Sequence, residues 1–121
     1  EGWVLAVGGP QALQEEMAVQ FSQAQLFVSH RTSNCFGWEL YENGQCRRRY
    51  ACLDGQVESV GELTPQERAL VFDRFPTPEN ADTCETLPDE EDVLDIAAAW
   101  GVDPRFEKAA YPPSAGWVCG L

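Results

Sequence analysis

Apolar and polar positions alternate along this chain in short blocks. Trp3-Val4-Leu5-Ala6-Val7 is an unbroken apolar run closed by Gly8-Gly9, which reads as a buried strand. Pro10 suits the first position of a helix, and Leu13, Met17 and Phe21 follow at i, i+4 and i+8. That spacing predicts a helix over 10–22 burying those three side chains. Leu26-Phe27-Val28 opens a second strand that runs into Ser29-His30-Arg31.

The clearest local signal is Asn43-Gly44, because a type I′ hairpin turn needs positive φ at both central residues. A hairpin centred there pairs Glu42 with Gln45. Counting outward, Leu40 opposes Arg47, Glu39 opposes Arg48, Trp38 opposes Arg49, and Cys35 opposes Cys52. One face then carries Cys35, Gly37, Glu39 and Tyr41 with Cys46, Arg48, Tyr50 and Cys52. The other carries Phe36, Trp38 and Leu40 with Arg47, Arg49 and Ala51. Both faces mix apolar and charged groups, so the pattern does not assign the core face. Asp54-Gly55 signals a second hairpin leading to a strand near 57–61.

Thr64-Pro65-Gln66-Glu67 is a complete helix start: a capping hydroxyl, proline in the first turn, and a glutamate closing a capping box. That helix is expected to reach about Phe72. Residues 74–88, with Pro76, Pro78, Asn80 and Pro88, read as an irregular connection too short to separate domains. A second capped helix follows, with Asp89 as N-cap and Val93, Ile96, Ala97 and Trp100 as its buried stripe. Gly101 stops it. Asp103-Pro104 is expected to start another short helix, and the apolar tail Gly116–Leu121 to pack back as an edge strand. The pattern predicts a single α+β domain over 1–121. Its antiparallel meander sheet has four to six strands, with one N-terminal helix and two or three C-terminal helices.

At 121 residues, with 44% hydrophobic positions, the chain can bury a real core. No apolar run is long enough to span a bilayer. Because the chain opens on Glu1, we also consider that it is a domain of a larger protein. Charge narrows the partners. The net charge is −12, and residues 73–107 hold eleven acids against only Arg74 and Arg105. Such a surface repels nucleic-acid phosphates and anionic membranes and suits a basic protein partner.

Candidate chemistry is sparse. The five cysteines contain no Cys-x-x-Cys, and His30 is the sole histidine, so neither a metal nor a cofactor is expected. Reduced thiols and a cytoplasmic location are expected, with a periplasmic or secreted one left open. His30 with Cys35 or Cys119 is the conceivable thiol–imidazole pair, and a Cys35–Cys52 cross-strand disulfide is conceivable in an oxidising compartment. No catalytic residues are assigned. Gly8-Gly9-Pro10 lacks the spacing of a phosphate loop. In Arg47-Arg48-Arg49, Arg48 points away from its neighbours. Glu39–Arg48 is expected as a cross-strand ion pair, with Arg47 and Arg49 turned to the acidic helix.

Phe27-Val28-Ser29-His30-Arg31, then Trp38, Asn43-Gly44, Arg48 and Tyr50, then Gly61–Glu67, and finally Asp89–Ala97 with Trp100 and Asp103-Pro104, occur in this order. The series resembles a family of small uncharacterised bacterial proteins over about residues 24–105. The resemblance implies a bacterial origin and no established activity. If His30, Arg31, Trp38, Arg48 and Tyr50 are its signature, they form either one pocket at the sheet or a buried polar network.

The leading expectation is a non-enzymatic acidic binding protein of immunity or antitoxin type, neutralising a basic toxin or effector domain. The first-turn acids serve cap and dipole, which leaves Glu90, Glu91 and Asp95 as its docking row. The alternative is a small enzyme or ligand-binding protein using His30, Arg31, Arg48 and Tyr50 around a polar pocket.

Overall fold

The computed structural model describes residues 11–101 and 103–105, with backbone only for residues 11–13. The expected strands at 3–7 and 116–121, Cys119 and the Leu13 side chain lie outside the described set. Four consecutive strands, β1 (Gln23–His30), β2 (Cys35–Glu42), β3 (Gln45–Leu53) and β4 (Gln56–Val60), form one antiparallel sheet in chain order. Helix α1 (Gln11–Ala18) precedes it. Helix α2 (Pro65–Ala69), a 3-10 turn at Phe72–Arg74 and helix α3 (Glu90–Trp100) follow. The class is therefore α+β. The two tight turns set the meander: Asn43 and Gly44 sit at φ 50° and 77°, and Asp54 and Gly55 at φ 47° and 84°.

Glu42 pairs with Gln45 as expected, but the register shifts between Leu40 and Tyr41. Arg47 is the extra residue of this β-bulge. Beyond it Leu40 faces Arg48, Glu39 faces Arg49, Trp38 faces Tyr50, and Cys35 faces Leu53. The straight count from the turn is thus one residue out for all four. Since side chains alternate with period two, the bulge moves the rest of β3 to the other face. Arg48, Tyr50 and Cys52 join Phe36, Trp38 and Leu40, and this is the core face. The Cys35–Cys52 pairing is lost, and both are free thiols.

Over that face lie α2, the 3-10 turn and α3. Phe36, Trp38, Tyr50, Cys52, Phe72, Phe75, Val93, Ile96 and Trp100 form one buried cluster. The Trp38 ring stacks on Tyr50 at 4.9 Å and meets Phe72 at 5.0 Å between centroids. Such aromatic pairs each add about 0.5–1.5 kcal/mol beyond area burial. Helix α3 buries the expected stripe of Val93, Ile96, Ala97 and Trp100. Asp89 caps it in a reciprocal box with Asp92, and Gly101 ends it at φ 149°.

Two elements differ from expectation. Helix α2 has its capping box but ends at Ala69, where Val71 turns left-handed and starts the 3-10 turn. Helix α1 ends at Ala18, so Phe21 falls out of helical phase, and Met17 and Phe21 are exposed while Ala18 is buried. The face beneath α1 is mixed, with Glu39, Tyr41 and Arg49 beside Leu26, Val28 and Ala51, and Glu15 reaches Arg49 there at 4.0 Å. The short helix expected from Asp103-Pro104 runs into residues outside the described set; within it, Asp103 accepts the Arg105 amide at 3.0 Å and its guanidinium at 2.9 Å.

Candidate functional site

Because the bulge turns Arg48 inward, a cation must be accommodated in the core. Glu67 meets it there. Its position is fixed by the α2 capping box, and it is fully buried beside a nearly buried Arg48. The Glu67 carboxylate accepts Nε–H and Nη2–H of Arg48 near 3.0 Å and the Trp38 indole N–H at 3.0 Å. It also accepts the Thr64 amide and hydroxyl, both at 3.0 Å. The Nη1 of Arg48 donates to Ser59 Oγ at 2.8 Å and to the carbonyls of Val60 and Gly61. The Trp100 indole donates to Thr64 Oγ1 at 3.2 Å, tying α3 to the same knot. Tyr50 donates to the Pro76 carbonyl at 3.1 Å, and burial raises its phenol well above the ordinary value. The network is saturated, as a buried ion pair must be to offset desolvation.

Of the five residues expected to share one site, Trp38, Arg48 and Tyr50 therefore meet in the core. His30 and Arg31 do not join them. They lie at the exposed β1–β2 turn, where Ser33 N–H donates to His30 Nδ1 at 3.2 Å. With Nδ1 accepting, the neutral ring carries its proton on Nε2. His30 and Cys35 face each other in the strand register, yet burial raises the Cys35 thiol pKa, which disfavours thiolate. That setting is a turn cap rather than an activated nucleophile.

The expected Glu39–Arg48 pair is replaced by Glu39 with Arg49, at 3.1 Å on the opposite face. Tyr41 donates to Glu39 at 2.9 Å and accepts from Arg49 at 3.0 Å. Burial, then the Glu39 hydrogen bond, push the Tyr41 phenol up to about 12. Arg47 pairs with Glu42 at 3.6 Å, and Arg49 with Glu39, Glu58 and Glu15. Neither pairs with α3: Arg47 is committed to β2, and Arg49 to β2, β4 and α1.

The acidic row of α3 is served by other cations. Arg31 binds Glu90, and Arg105 binds Glu91 at 3.3 Å and Asp95 at 3.0 Å. Arg74 lies 3.9 Å from Asp92, whose carboxyl pKa is raised mainly by burial. Glu91 is 72% exposed and Asp95 44% exposed by side chain. Sequence reasoning gave Glu67 only a cap role, turned Arg49 to the wrong partner, and assigned no role to Tyr41 or to a groove beside α3. That groove, of about 320 Å³, is lined by Gln23, Gln25, Leu40, Glu42, Thr64–Gln66 and Trp100. Among the described residues no cluster of three His, Cys, Asp or Glu side chains could hold a metal.

Fold and site together define a small α+β domain with a closed, ion-paired interior and an acid-edged outer helix. No family model, curated protein or solved structure matches the chain. Among the described residues no helix is long and apolar enough to cross a membrane.

Proposed function

We propose that this chain is a non-enzymatic binding protein whose acidic helix captures a basic partner, in the manner of an immunity or antitoxin-like protein neutralising a toxin domain. The setting of α3 carries the reading. One side of the helix is locked to the core through Val93, Ile96, Ala97 and Trp100, while Glu90, Glu91 and Asp95 face outward in a chain of net charge −12. The Arg105–Asp95 pair is half-buried, but the Arg31–Glu90 and Arg105–Glu91 pairs are exposed, and exposed pairs are worth about 0–1 kcal/mol. A partner's cations can replace them at small cost. The polar groups that would serve a pocket, Arg48, Trp38 and Tyr50, are already bonded within the interior, which favours binding over catalysis.

The test begins with a pull-down from the source organism's lysate, followed by association kinetics with the captured protein. Electrostatic steering predicts that the association rate falls about tenfold or more between about 20 and 500 mM salt. The E90Q/E91Q/D95N variant associates more slowly and with a flatter salt response. An association rate indifferent to both salt and variant sinks the reading.

A further inference from the structure

We infer that the groove at the C-terminal end of α3 receives a cationic side chain, an arginine or lysine, from the basic partner; this rests on the capture reading above and gives it a specific contact. The groove of about 320 Å³ has room for one long side chain. Its one charged lining residue among those described is Glu42, and no lysine or arginine lines it.

The rest of the lining offers acceptors. Gln25 Nε2 donates to the Trp100 carbonyl at 3.1 Å, which leaves its side-chain oxygen available. The Gln23 and Gln66 amides make no hydrogen bond among the described residues and can turn an oxygen inward. Trp100, the last residue of α3, lines the groove, and the helix has no basic residue in its last turn. The Ala97 and Ala98 carbonyls accept from the Gly101 amide and that of Trp100 from Gln25, so the helix end is hydrogen-bonded but its partial negative charge meets no cation in its last turn.

These features together select the ligand. An anion would meet Glu42 and the helix end with like charge. A neutral polyol would satisfy the amides but gain nothing from either negative group. A guanidinium or ammonium uses all three. Arg47 reaches Glu42 at 3.6 Å, but both side chains are about half exposed and the contact is exchangeable. Along α3 the acidic row lies about 15 Å (Glu90) to about 8 Å (Asp95) from Trp100 at the groove, at about 1.5 Å per residue. A basic partner can thus engage both.

The experiment is a ¹H–¹⁵N titration of the full chain with capped arginine amide, and in parallel with capped citrulline amide, its neutral near-isostere. Arginine should shift the Gln23, Gln25 and Gln66 side-chain amides and the Trp100 indole saturably, and citrulline should not. Glu42→Gln should weaken the arginine response by up to about fivefold. Equal responses to the two probes, or an unaltered response in Glu42→Gln, overturn the assignment. So does an arginine response confined to surfaces away from the groove. If the groove stays silent while E90Q/E91Q/D95N still slows partner association, the groove falls and the capture reading stands. If the triple variant leaves association unchanged, the capture reading falls on its own test.

Discussion

Glu67 is where the polar chemistry of the interior converges. Its two oxygens accept from Arg48, Trp38 and Thr64, and every one of these donors is oriented for a carboxylate. Glu67→Gln would place an amide N–H₂ against donors and leave the Arg48 charge unpaired in the core. We expect a loss of about 3–5 kcal/mol in urea unfolding. Replacing both partners by apolar residues, Glu67→Met with Arg48→Leu, should recover part of that loss, because no lone charge remains buried. A double variant as unstable as the sum of the singles would refute the coupling. On the opposite face Tyr41 makes a pH prediction. Its folded phenol value, about 12, stands above the ordinary 10.0. The raised value means its contribution is complete below about pH 10 and lost as pH climbs through about 12. Thermal stability should therefore fall over that window, and Tyr41→Phe should flatten the fall. The phenolate band near 295 nm should appear correspondingly late.

At the scale of elements, the α2-to-3-10 junction carries visible strain. Val71 is β-branched, sits at φ 62°, ψ 33°, and leaves half its side chain in water. Left-handed backbone costs such a residue about 1–2 kcal/mol, whereas glycine adopts it without a Cβ clash. Glycine gives back part of the gain through unfolded-state entropy. Val71→Gly should therefore stabilise by about 0.5–1 kcal/mol, read as a raised urea midpoint at constant slope. This junction also marks where local reading stops. Caps, type I′ turns and the α3 stripe were legible because each is written within a few consecutive residues. The bulge at Arg47 was not: three successive arginines give no mark of which is the extra one, and the turn count ran straight through. From that one residue followed the wrong face for Arg48 and the lost pairings of Glu39 and Cys35. In the site, the acid row of α3 was legible from spacing. The cations that meet it were not, since Arg31 is 59 positions from Glu90 and Glu67 is 19 positions from Arg48. The α1 stripe misled because the helix ends at Ala18 and the sheet face it covers shares its apolar groups with Glu39 and Arg49.

At the scale of the whole molecule, 20 acids face 8 lysines and arginines, and attraction and repulsion act over different distances. The attractive contacts among described residues are pairs at 4.0 Å or less, such as Arg105–Asp95 at 3.0 Å and Arg49–Glu58 at 3.4 Å. The repulsion is spread. Asp73, in the 3-10 turn, and Glu79, Asp82 and Glu85, in the irregular segment leading into α3, make no ion pair among described residues. At about 10 mM ionic strength the screening length is about 30 Å, enough for these charges to repel across the domain. At about 150 mM it is about 8 Å, which removes most of the long-range repulsion and less of the short-range attraction. Moderate salt should therefore stabilise this protein, unlike one held chiefly by surface ion pairs. If the relief is about 1 kcal/mol, the Tm rises by roughly 3–6 °C between those conditions. Glu79→Gln, Asp82→Asn and Glu85→Gln combined should reproduce part of the rise at low salt and shrink the remaining salt response. A Tm that falls with added sodium chloride would mean that the Arg31, Arg74 and Arg105 clamps on α3 outweigh the repulsion. The acidic helix would then be held mainly by its own cations, with less charge to offer a partner.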